Sequence, residues 1–467
     1  MEEGTSSQFS AVAASTDGSA TIDIKESGEV LENKYQPFGS QKPKIQTVQP
    51  LLREVESNKK SYDPRVVSIG PCHHGKPELE TIERLKPSMV RQYVENRGVK
   101  IADLYEEVVK VTSDARKCYA EDLTKMFDDE EFTRMMFLDG CFTLHYICSI
   151  VEGEHEELKK IQRVALVHRD LLLLENQLPF LVLRVLMRAS FGIALGEEII
   201  IAFIKRIRGE PPDAVVLVEQ MKEFRQQHSL ALKSHPEVRM QDGKDKDDNE
   251  PIHLLELVRR QFIDPKAFGI GCVISSGWYA RRSVKDLKTV GIRFEPSKTY
   301  QLTDIEFKSK WISGILTLPR IIIDDTTKSM LLNLAAFEAC PDYTNDLGVT
   351  SSICFMDSII YHEEDVKELR SKGILLNYLG TDKQVADLFN DISMELVPSP
   401  HAYVQVKTGM EYYYQDWRIQ TADWVGELKR DYFRNPWTTI AVFYAVFTLI
   451  LSLIQAYFTV FPSPDKH

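Results

Sequence analysis

Trp437 to Phe461 reads WTTIAVFYAVFTLILSLIQAYFTVF, 25 residues without a charged side chain, inside an uncharged stretch that runs from Asn435 to Pro464. As an α-helix this run would be roughly 37 Å long, against a hydrocarbon layer ~30 Å thick. A core helix of that length ordinarily carries charge where it meets solvent. The run therefore predicts a transmembrane helix over 434–461, anchored at its interfaces by Trp437 and Phe461 and followed by a short tail over 462–467. Lipid is thus one expected partner. A chain so attached must place a large polar body on one side of the bilayer, and that limits how the rest can fold.

Lys429, Arg430 and Arg434 precede the span, and only Lys466 follows it. That imbalance of basic residues predicts a cytoplasmic body on a single-pass C-terminal anchor. It does not choose between the plasma membrane and an endomembrane. The opening MEEGTSSQFS has neither a basic start nor an apolar core, so no secretory signal is expected. The ten asparagines include no Asn-x-Ser/Thr acceptor, which agrees with a cytoplasmic body. Seven cysteines without paired spacing read as reduced thiols rather than as a disulfide framework. The net charge of −12 and the absence of a basic, aromatic-interleaved patch argue against nucleic acid as a partner.

Residues 1–48 are acidic, rich in Ser and Thr, and lack apolar periodicity, which predicts a disordered arm. Residues 49–433 form the expected body. Within it, 236–251 (PEVRMQDGKDKDDNEP) reads as a charged, solvated loop. Phe132–Ile150 is apolar nearly all round and predicts a buried helix. Asp170–Met187 has the same apolar character, with Pro179 breaking or restarting the helix. Pro77 begins another helix. Between 290 and 325 the runs GIRFEP, YQLTDIEF and GILTLPRIIIDD, with turn punctuation, predict a small antiparallel sheet. Asp324 to Thr327 offer caps for a following helix, and helices resume at 363–372 and 382–389. The expected class is α+β, mainly α: a helical body, a small antiparallel β element and one C-terminal transmembrane helix.

No catalytic signature emerges. Gly70–Lys76 obeys G-x-x-x-x-G-K, but position 77 is proline where a phosphate loop needs Ser or Thr, and Pro71 removes a backbone donor. His168-Arg169-Asp170-Leu171 lacks the Asn spacing and companion motifs of a kinase loop. His155-Glu156 and His362-Glu363 lack the second histidine of a zinc helix. His73 and His74 would need ligands or partners from elsewhere, because adjacent side chains seldom converge. His145 reads as a core histidine. Glu175, Asn176 and Gln177 lie in an apolar run, so they must find hydrogen bonds and predict a structural polar network. No cofactor or metal set is assigned. The enzymatic alternative is a hydrolase or transferase that uses His73 and His74 with Asp139, Asp170 and Glu175, and it requires a pocket where they converge.

Ten stretches taken together resemble a plant family of unknown function, domain-of-unknown-function family two-four-seven. They are VSIGPCHHGKPEL, FLDGCF, RDLLLLENQLPF, HLLELVR, LTLPRIIIDDTT, NLAAFEAC, FMDSII, EDVKELRSKGIL, LGTDKQVADLFN and DYFRNPW, running in order from 67 to 437. Cys72 departs from the pattern, where the family usually has an aromatic residue, and Thr143-Leu144-His145 replaces a more apolar run. The resemblance implies a mainly helical plant protein with a C-terminal anchor and supplies no catalytic residues. Some grass members lie at self-incompatibility loci, so it also implies recognition or signalling. The expected function is a membrane-tethered interaction module with a protein partner.

Overall fold

The computed structural model describes residues 45–153, 164–210, 217–219, 221, 250–264, 281–310, 313–341, 343, 346–416 and 436–460. All of them belong to one compact unit, Pro43–His467. Residues 1–44 of the arm expected over 1–48, the charged loop over 236–249, the three basic residues before the span and Phe461 lie outside the described residues. The end of that arm is ordered rather than disordered: Ile45 pairs with Tyr119, and Ile45 and Val48 are buried in the core.

The first half is built around a central helix, α3 (Asp129–Glu152), with α1 (Glu80–Arg97) and α2 (Ile101–Lys117) before it. Asp128 starts α3 by accepting the Glu131 N–H at 2.8 Å, and Gly153 ends it in the left-handed conformation at φ 73°. Its apolar residues are distributed around the whole circumference, so neighbours cover it on every side: α1, α2, α5 (Phe180–Ser190) and α6 (Ile193–Ile207). Gly140 permits a close approach, since a Cβ there would stand 2.5 Å from Leu186 Cδ1 of α5. Before α5, a short helix, α4 (Val164–Asp170), stops at Asp170, and the chain then turns through 171–179. The helical character expected from Asp170 onward is therefore absent until Phe180. Asn176 and Gln177 amides take the carbonyls of Asp170, Leu171 and Leu173 that a helix would have used, and Pro179 has no N–H to extend one.

The second half packs α7 (Leu254–Phe262) against α9 (Thr327–Glu338), which is surrounded by α10 (Gly348–Asp357) and α12 (Asp382–Ile392). Between them lie α8 (Val284–Thr289) and the strands β1 (Ile292–Pro296), β2 (Glu306–Ser309), β3 (Gly314–Leu318) and β4 (Ile321–Ile323). The sheet is not antiparallel as expected. Its order is β1-β3-β2, with β1 parallel to β3 (Ile292 opposite Gly314) and β2 antiparallel to it (Glu306 opposite Thr317). A second pair joins β4 in parallel to β5 (Leu375–Asn377), which follows α11 (Glu363–Ser371). Turn residues announce that a strand ends, but they do not say which neighbour it pairs with. Here β3 returns between β2 and β1, and only β2–β3 keeps the sense of a hairpin. Asp324 Oδ1 accepts the N–H groups of Thr326 and Thr327 at 2.9 and 3.0 Å and so caps α9. Burial opposes its charge, but these donors and the two hydroxyls hold its carboxyl below the usual range. Helix α13 (Val404–Gln415) packs on β2.

Two described helices are long and apolar enough to cross a membrane. In α3, 89% of the apolar window is buried, so its composition is that of a core. In α14 (Pro436–Val460), none of the window Ile440–Tyr457 is buried, and Phe443, Phe447, Leu449 and Leu453 each stand about 60% exposed or more. Trp437, in its first turn, is 78% exposed.

Candidate functional site

The segment Arg65–Gly70 enters the body without a strand partner, yet most of its backbone is buried. Buried polar backbone must be paired, and here side chains from distant elements do the pairing. Asp170 Oδ2 accepts the N–H groups of Arg65, Val66 and Val67 at 2.9, 2.7 and 3.2 Å. Asn176 Oδ1 accepts the Ile69 N–H at 2.7 Å, while its amide donates to Val67 O at 3.1 Å. Asp139 Oδ2 accepts the Gly70 N–H at 2.8 Å. The fully buried Lys86 ammonium joins Asp139 at 2.5 Å to Ser68 O at 2.6 Å. Gln177 closes the frame, with its amide on Leu171 O and Leu173 O and its Oε1 accepting the Leu255 N–H. Gly70 has φ 73°, and a Cβ there would meet Gln177 O at 2.6 Å and Tyr119 Oη at 2.9 Å. The G-x-x-x-x-G-K loop therefore begins with its first amide committed to a carboxylate rather than available to a phosphate.

The same arrangement recurs further along the chain. Asn333 Oδ1 accepts the Leu174 N–H at 2.9 Å. Glu338 accepts the Val349 and Thr350 N–H groups, both at 2.8 Å, and the guanidinium of the buried Arg259 at 2.7 Å. Asp365 accepts the Tyr361, His362 and Lys285 N–H groups. His253, completely buried, caps α7 by accepting the Glu256 N–H on Nδ1 at 3.1 Å and stacks edge-on against Phe337. Burial pushes its imidazolium from 6.5 down to about 3. The unfolded chain takes up that proton near pH 6.5 and the folded chain only near 3, so the stability this residue contributes is full above pH 6.5 and declines as pH falls. Between pH 6.5 and 5 the expected decline is about 2 kcal/mol. His253→Asn, whose amide oxygen can assume the cap, is expected to flatten that part of the urea-unfolding profile.

Just beyond the clamped segment, the turn carries Cys72, His73 and His74. Buried His73 brings its Nε2 to 3.4 Å from Glu175 Oε2. One donor atom each from Cys72, His73 and Glu175 lies within 4.8 Å of the others. Glu175 Oε1 accepts the Val48 N–H at 2.8 Å, and Oε2 receives Arg53 Nη2 at 2.5 Å. Burial opposes the Glu175 charge, but His73, the Val48 N–H and Arg53 outweigh it and hold the carboxyl below its ordinary value. Burial, reinforced by the Glu175 charge, pushes the Cys72 thiol up to about 12. At neutral pH Cys72 is thus a thiol, a poor nucleophile. His74 points elsewhere: it is exposed and sits edge-on to Phe127. His145 is buried edge-on to Tyr93.

Of the residues in the enzymatic alternative, the structure brings His73 and Glu175 together and sends Asp139 and Asp170 to backbone amides. One open cleft among the described residues, of about 240 Å³, is lined by none of them. It lies among Arg281, Arg282, Cys354, Asp357, Lys407 and Glu411, where Arg281 pairs with Asp357 and Arg282 with Glu411. Sequence reasoning missed that cleft, and it also missed Lys86 and Arg53. Arg53 is 122 residues from Glu175, and no spacing rule connects residues that far apart.

A family model described as a plant protein of unknown function matches residues 45–451. Two Arabidopsis thaliana proteins are similar along most of the chain. UPF0481 protein At3g47200 is 29% identical over 416 residues, which cover 86% of this chain and 83% of the relative. Putative UPF0481 protein At3g02645 is 24% identical over 480 residues, covering 87% and 88%. No solved structure matches.

Proposed function

The chain belongs to that plant protein family of unknown function, matched over 45–451, and from this membership we propose that it works as a membrane-tethered interaction protein. The observation that carries the proposal is α14: 25 residues of apolar helix with no buried side chain in its central window. In water such a surface costs about 25 cal/mol for each Å² of apolar area, and in a bilayer it costs nothing. The lipid bilayer is therefore the first partner, and the bias of basic residues toward 429–434 favours a cytoplasmic body.

The second partner is a protein that binds the body, which the tether confines to the membrane plane and so to a high effective concentration. Support for binding over catalysis comes from the polar residues of the motifs. Asp139, Asp170, Asn176, Asn333, Glu338 and Asp365 each hold backbone amides, so they build a rigid frame rather than a reacting centre. Recognition or signalling at a membrane face is the role this combination suits, and a self-incompatibility function is its narrowest form. Expression confined to pollen or stigma distinguishes that form from general signalling.

The test is affinity capture from plant membranes with the span intact, paired with protease treatment of sealed microsomes. A partner that is retained across baits and lost without the body is the expected result, together with digestion of the body from outside the vesicles. Repeated capture of nothing specific would remove the interaction reading, and full protection of the body would reverse the orientation.

A further inference from the structure

We infer that Cys72, His73 and Glu175 form a binding site for a thiophilic divalent metal of the Zn²⁺ class. The inference is independent of the membrane reading above. It starts from His73, which is 3% exposed, leaves Nδ1 without a hydrogen bond and brings Nε2 only to a long 3.4 Å approach to Glu175 Oε2. A buried imidazole with no well-formed hydrogen bond forgoes what justifies burying a polar ring. Beside it stand the Cys72 thiol and the Glu175 carboxylate, and thiol, imidazole and carboxylate together suit zinc better than the oxygen-seeking calcium or magnesium.

The His73–Glu175 distance already fits. With bonds of about 2.0–2.3 Å and tetrahedral angles, the donors around zinc stand about 3.3–3.6 Å apart. His73 Nε2 and Glu175 Oε2 are 3.4 Å apart, and all three donors lie within 4.8 Å of one another. Small movements of the Cys72 turn complete the set and leave a fourth position for water or a partner's donor.

Arg53 is the group that must yield, since it holds Glu175 Oε2. It already has a second acid, Asp63 at 3.0 Å, and its side chain is 29% exposed. Its guanidinium therefore has a place to go, and Glu175 Oε1 keeps the Val48 amide throughout. On binding, the S–H bond of Cys72 breaks, its proton leaves to solvent and a sulfur–metal bond forms. The dication then faces one thiolate and one carboxylate, so the site is neutral. The metal would tie the turn after the clamped segment to the loop that clamps it.

The experiment uses the full chain in detergent, stripped with chelator and titrated with Co²⁺ alone as a spectroscopic probe. The expected result is a sulfur-to-cobalt charge-transfer band that saturates at one Co²⁺ per chain and disappears when Zn²⁺ is added. Cys72→Ser should abolish the band and weaken binding on the order of tenfold or more, whereas Cys354→Ser should retain both. As a readout that needs no variant, Zn²⁺ should slow alkylation of Cys72 in the wild-type chain, mapped by mass spectrometry. A chain that shows no band, a band that survives Cys72→Ser, or alkylation of Cys72 indifferent to Zn²⁺ would each overturn the assignment.

Discussion

Asp170→Ala is expected to destabilise the body by about 3–5 kcal/mol. One carboxylate oxygen accepts three consecutive amides, Arg65 to Val67, and the other receives the Arg169 guanidinium at 2.8 Å. Alanine leaves the buried Val67 N–H without an acceptor, at about 1–3 kcal/mol, and takes from Arg169 its bonded carboxylate, leaving it the Asp63 and Lys60 carbonyls. Water can reach the partly buried amides of Arg65 and Val66, which keeps the total below a simple sum. A domain stable by only 5–15 kcal/mol would feel a loss of this size as a large drop in its urea midpoint. Asp170→Asn retains an acceptor oxygen and should lose clearly less. If the alanine variant unfolds within about 1 kcal/mol of wild type, the clamp does not hold the segment.

The second large effect concerns α14. With α14 spanning a bilayer as proposed, lysine at Leu449 and Leu453, both near the middle of Pro436–Val460, places two charges at the depth where each costs about 2.5–3.5 kcal/mol by insertion scales. Together with the two lost leucines the penalty is about 6–8 kcal/mol, enough to move the chain from the alkali-resistant membrane pellet to the supernatant. Neither leucine is buried against the body (63% and 62% exposed), so the body's urea midpoint should not change. A double variant that still pellets with the membrane would rule out the span.

These two expectations differ in how far they could be read without a fold. The apolar run is a local property: charge, length and hydropathy lie in consecutive residues, and α14 emerges close to its expected limits. The apolar run Phe132–Ile150 likewise marked α3, helices were expected over 363–372 and 382–389 where α11 and α12 lie, and Asp324 to Thr327 offered caps at the start of α9. The Asp170 clamp could not be read in this way. The amides that donate to it come from 103 to 105 residues away, and an Asp after an Arg in an apolar run looks the same whether it caps a helix, faces water or serves chemistry. The polar trio at 175–177 announced a need for hydrogen bonds but not the donors and acceptors that meet it.

What the sequence by itself determined, then, was the class of most elements, though not of 171–179, and the presence of a long apolar helix at 436–460, because composition and charge act between near neighbours. Whatever depends on separate segments meeting was decided by the tertiary structure. The packing placed β3 between β1 and β2, stopped the helix at Asp170 in favour of side-chain amides, and turned His73 but not His74 toward Glu175. The physical reason is that burial makes unpaired polar groups costly, and which partners satisfy them is known only once the chain has closed around them.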